Sequence, residues 1–133
     1  MALQYSTTVN NARLDAIETA IGATAVLKIR TGAAPANCGT ADSGTVLATL
    51  TLPSDWMAAA SGGTKAKSGT WQDASADATG TAAHWRIYES SGVTCHMQGT
   101  YGTSATDMIG DSVSFTAGQS FTINSFTLTA ANT

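Results

Sequence analysis

Hydrophobic positions keep a helical period in one place only. Between Thr8 and Gly22, Leu14, Ile17 and Ile21 recur at spacings of three and four, with Ala12, Ala16 and Ala20 beside them. Thr7 or Thr8 can cap the start and Gly22 can end it. This predicts a helix over residues 8–21 with a narrow apolar stripe. Such a stripe packs on its own domain or, at a chain terminus, on a neighbouring subunit; the second alternative makes Leu14, Ile17 and Ile21 candidate partner contacts.

After Gly22 the period becomes alternating. In Ala25–Arg30, Ala25, Leu27 and Ile29 fall on one face and Lys28 and Arg30 on the other. Further strands are expected at 45–52, 65–71, 80–89, 93–99, 112–116 and 121–129, with a loop over 31–44 dense in turn residues and a helical turn after Ser54. In the last strand Phe121 and Ile123 alternate, and Ser125-Phe126 breaks the parity before Phe126 and Leu128 resume it, which predicts a bulge near Asn124. Short strands with Gly-rich turns and no helical crossovers give an all-β fold class, an antiparallel β-sandwich or jelly roll over 25–129, preceded by the helix in a single domain, 1–133.

The segment His84–Thr100, HWRIYESSGVTCHMQGT, gathers both histidines, a cysteine, an arginine and a glutamate, the residue types of a metal or catalytic centre. A three-residue loop Ser90-Ser91-Gly92 pairs Glu89 with Val93, Tyr88 with Thr94, Ile87 with Cys95, Arg86 with His96 and Trp85 with Met97. Trp85, Ile87, Cys95 and Met97 should then be buried, while His84, Arg86 and His96 should face out. Cys95 and the histidines lie on opposite faces in that register, so they cannot share a zinc ion. No metal, cofactor or catalytic residue is assigned.

Charged residues are 11% of the chain and the net charge is −3. A weakly charged surface suits a protein that works against partners, and six Lys and Arg without a run leave nucleic-acid phosphates little to bind. The first residues lack the apolar core of a leader and no run is long enough to span a bilayer, so synthesis in the cytoplasm without membrane insertion is expected. Cys38 and Cys95 are expected reduced and packed, with a mutual disulfide as the alternative. Serine-elbow, phosphate-loop and zinc-protease motifs are absent. Asp73, Asp77, Asp107 and Asp111 read as turn carboxylates rather than cation ligands. Trp71 and Trp85 read as structural. Trp56 and Met57, a pair of types enriched at interface centres, are a candidate partner contact or else pack at an open end of the fold.

The runs Asn11–Gly22, Leu27–Asn37, Leu52–Met57 and Ser125–Asn132 resemble small virion proteins of tailed bacteriophages and prophages, nearly end to end. The resemblance implies a structural component of the virion, and jelly rolls and sandwiches of this size recur among proteins that decorate or cement phage heads. The implied partners are the major capsid protein and copies of the chain itself, with no enzymatic activity. Three other roles remain open: a tail, neck or collar component; a carbohydrate-binding module presenting Trp56 and Trp71; and a small hydrolase using His84 or His96.

Overall fold

The computed structural model describes residues 2–132. Helix α1 runs Thr7–Ile21, and the cap is Ser6, whose Oγ accepts from the Val9 amide at 3.2 Å. Strands follow as β1 Val26–Thr31, β2 Val46–Thr51, β3 Thr64–Ala66, β4 Gln72–Asp73, β5 Gly80–Tyr88, β6 Cys95–Gly102, β7 Met108–Gly110, β8 Ser114–Phe115 and β9 Phe121–Thr129. The expected helical turn after Ser54 is a plain turn at Ser54-Asp55, not a helix, and leads to an isolated bridge between Met57 and Lys67.

The strands form one sheet in the order β2-β1-β5-β6-β7-β9-β3, with β4 on β9 and β8 on β5. All pairings are antiparallel except β6 with β7. The sheet is a curled, mixed half-barrel. Its β2 edge is drawn towards β4 and the segment that follows it: Thr49 donates from its amide to Asp73 Oδ2 at 3.2 Å and from its hydroxyl to Asp77 Oδ2 at 2.8 Å, and the Asp77 amide donates to the Leu47 carbonyl at 2.7 Å. The mostly β class with one N-terminal helix is as expected. The parallel pair and β7 are not foreseen, since Met108–Gly110 is too short to show a period. The bulge is where the parity break puts it: Ile109 faces Ser125 and Gly110 faces Ile123, leaving Asn124 as the extra residue.

The concave side holds the core. Trp56, Trp71, Phe126 and Trp85 pack in series with ring centroids 6.0, 5.6 and 5.1 Å apart, the first two pairs tilted and the last edge-to-face. Each indole N–H finds a carbonyl, Trp56 on Gly22, Trp71 on Ser68 and Trp85 on Thr100. Leu14 and Ile21 are buried and Ile17 packs against the same core.

Helix α1 also docks through polar atoms. Asn11, Asp15 and Glu18, spaced four and three apart, share a helix side and accept from the amides of Gly63, Ala60 and Met57. Beneath them Lys65, 3% exposed, places its ammonium 2.8 Å from Asp15, 3.0 Å from Glu18 and 2.9 Å from the Ala58 carbonyl. Three acceptors match the three ammonium protons, which lets a lysine sit in an interior.

Candidate functional site

The hairpin carrying the histidines keeps the expected turn but not the expected register. Gly92 has φ +72° and its amide donates to the Glu89 carbonyl at 2.8 Å. The Glu89 carboxylate then folds back and accepts from the amides of Val93 and Thr94 and from the Ser91 hydroxyl, taking donors that the ladder would have used. Those bonds, the Ser91 one foremost, hold the Glu89 carboxyl down at about 2. Pairing resumes as Tyr88 with Cys95, slips, and continues as Ile87 with Met97, Arg86 with Gln98, Trp85 with Gly99 and His84 with Thr100. His96 is the bulged residue, exposed as expected, with Nε2 3.1 Å from Glu89.

This corrects several expectations. A two-residue shift preserves parity, so Trp85 and Ile87 are buried as expected and Met97 packs partly against the core. Cys95 pairs with Tyr88 on the outer face instead, and both Cys95 and Met97 are only half-buried. His84 and Arg86 are on the outer face but are 0% and 1% exposed, because the 32–45 loop folds down over them.

The cover is held by a polar clamp. Arg86 donates from Nη1 to Asp42 Oδ1 at 2.6 Å, from Nη2 to the carbonyls of Asn37 and Thr40 at 2.9 and 3.0 Å, and from Nε and Nη2 to Gln98 Oε1 at 3.1 and 2.9 Å. Asp42 also accepts from Tyr88 at 2.7 Å and Arg30 at 3.0 Å, and Gln98 donates to the Pro35 carbonyl at 2.7 Å. Burial alone raises the Asp42 carboxyl; the bonds from Tyr88 and Arg86 and the charges of Arg30 and Arg86 outweigh it and hold the group below the usual carboxylate range. Burial, then the Asp42 bond, pushes the Tyr88 phenol up to about 12. His84 has Nδ1 2.6 Å from the Gly32 carbonyl. Burial chiefly, with the Arg30 and Arg86 charges, pulls its pKa down against the raising effects of Gly32 and Asp42, so the ring is neutral near pH 7.

The histidines are therefore apart: His84 faces Thr100, four residues from His96 along β6 or roughly 13 Å. Among the described residues no three His, Cys, Asp or Glu side chains could share a metal ion. The carboxylates of the expected turns are bound within the chain: Asp73 accepts from the Ser75 amide, Asp77 from the Thr49 hydroxyl, Asp107 from the Thr100 amide and Asp111 from the Thr122 amide.

The proposed partner contacts are also corrected. Trp56 and Met57 are 0% and 1% exposed, since the chain after Pro53 turns into the open side of the sheet. With Leu14, Ile17 and Ile21 they belong to the interior of their own chain. Trp71, 1% exposed, cannot stack on a sugar ring either.

What is exposed lies elsewhere. Among the described residues the large hydrophobics open to solvent are Leu3, Tyr5, Val9 and Val93. Leu3 and Tyr5 belong to an N-terminal arm tied to the C-terminal tail, and Val9 lies in the first turn of α1: the Tyr5 amide donates to the Asn132 carbonyl at 2.7 Å, and Arg13 reaches the Ala131 carbonyl at 3.2 Å while lying 4.8 Å above the Tyr5 ring. Periodicity passes over Leu3 and Tyr5 because they precede the helix cap; their alternation is the one signal available. A groove of about 530 Å³ opens between β6 and β9, where the short β7 lets them splay, with Trp85 and Phe126 at its base and Asp107 at its rim. No helix among the described residues is long and apolar enough to cross a membrane. No protein-family model matches the chain, and neither a curated protein nor a solved structure matches it significantly.

Proposed function

We propose that the chain is a non-enzymatic structural subunit of a phage virion, a decoration or cement protein that seats on the outside of the head beside copies of itself. The observation that carries this reading is the exposure of Leu3 and Tyr5 on an arm fastened to the body and of Val9 in the helical turn that follows it, on a chain poor in charge. Exposed apolar side chains gathered within one short segment are what a protein contact uses. The side chains with chemistry to offer support it as well, since Arg86, Asp42 and Tyr88 are engaged in holding a loop. The curled sheet we read as a flattened relative of the sandwich and jelly-roll architectures implied by the resemblance to virion proteins.

The mechanism is mass action. A subunit that binds only the assembled shell stabilises it by its binding free energy, and symmetric repetition multiplies a modest contact. The net charge of −3 favours the outer surface over a lining against packaged DNA. Mass spectrometry and imaging of purified particles test the reading. Copies in the hundreds over the head surface are expected; a copy number matching tail or neck symmetry assigns the tail or collar role instead, and absence from particles overturns the proposal.

A further inference from the structure

The cysteines Cys38 and Cys95 are distant in sequence, free, and outside the contact just proposed. Cys38 belongs to the loop between β1 and β2, beside Asn37, whose carbonyl the Arg86 guanidinium holds at 2.9 Å. Cys95 opens β6 opposite Tyr88, on the face that this loop covers, and its thiol donates to the Met97 carbonyl at 3.4 Å. The clamp thus brings the two thiols into the wall of one cavity of about 340 Å³, together with Arg86 and Asp42. Both are half-buried, within reach of a small molecule entering that cavity.

We propose that Cys38 and Cys95 form a dithiol site that closes to an intramolecular disulfide when a low-molecular-weight disulfide supplies the oxidant, stapling the 32–45 loop to β6. Burial and the neighbouring Cys38 thiol push the Cys95 thiol up to about 12, so Cys38 is the attacking group. Its thiolate, having released its proton to water, displaces one thiolate from the oxidant and forms a mixed disulfide. Cys95 then loses its proton, with the Arg86 charge beside it favouring the thiolate, and attacks the Cys38 sulfur, expelling the second thiolate. Two protein thiols are oxidised and one small disulfide is reduced to two thiols. Because the clamp holds the loop in place, the second step is intramolecular and outruns capture of another oxidant molecule. The site is independent of the virion reading.

The full chain is incubated with oxidised glutathione, quenched in acid and digested with trypsin. Peptide 31–65 joined to peptide 87–133 is expected, with an intact mass lower by about 2 Da for the two hydrogens lost. The oxidised chain should melt roughly 5–10 °C above the reduced one, since the bridge closes a long loop in the unfolded state. Cys38→Ser and Cys95→Ser should abolish both the link and the shift. A wild-type chain that carries glutathione on both cysteines, dimerises, or keeps free thiols without the joined peptide overturns the proposal, and this readout needs no variant to fold.

Discussion

Replacing Arg86 by methionine tests whether the clamp holds the loop. The side chain is 1% exposed, and methionine fills much the same volume, so packing changes little. What is lost is the guanidinium. Asp42 keeps Arg30 and Tyr88 as partners and is 39% exposed, so it is not stranded as a bare buried charge. The cost falls mainly on the Asn37 and Thr40 carbonyls and on Gln98 Oε1, each losing its donor. At about 1 kcal/mol for each acceptor, which the loosened loop can partly rehydrate, and about 1.5 kcal/mol for the charge-assisted bond to Asp42, the loss is roughly 3–5 kcal/mol. For a chain of 133 residues that lowers Tm by roughly 10–15 °C. Thermal unfolding followed by circular dichroism measures it, and amide exchange over residues 32–45 should accelerate while β9 stays protected. Arg86→Lys keeps the charge but not the fork, and should fall between the two. A Tm within about 3 °C of wild type with unchanged exchange in the loop would refute the reasoning.

The neutral, buried His84 makes stability depend on pH. Its folded pKa lies below the ordinary 6.5, so the unfolded chain binds the proton more readily and stability should fall as pH drops from about 6.5 towards the lowered folded value. The charged groups facing it are Arg30, Arg86 and Asp42; Asp42 titrates lower, so His84→Gln should flatten the slope in that window, as urea unfolding at a series of pH values can check. Lys65→Ala strips the buried cation from beneath Asp15 and Glu18; a loss of about 2–4 kcal/mol is expected, with α1 exchanging its amides before the sheet does. Leu3→Asp with Val9→Asp alters exposed residues only, so unfolding should change by no more than about 0.5 kcal/mol. Binding to undecorated heads in a sedimentation assay should be lost, and retained binding would move the contact off the arm.

Hydrophobic period alone determined a good deal about this protein. The N-terminal helix, the inward faces of β1 and β5 and the bulge at Asn124 all follow from spacings within a dozen residues, because local geometry fixes which side chains share a face. The shape of the hairpin loop was within reach and missed: Glu89 accepts from amides four and five residues on, and hydrophobic alternation is blind to a carboxylate capping backbone. Tertiary structure decided the rest. Whether His84 and Arg86 meet water depends on a loop laid over them through Arg86 and Asp42, 44 residues apart. The same placement brings Cys38 beside Cys95, and the turn of the chain after Pro53 puts Trp56 in the core instead of at a partner. Alternation separates the two faces of a strand, but an outward face becomes surface or interior only when a distant segment either leaves it open or covers it and satisfies its polar groups.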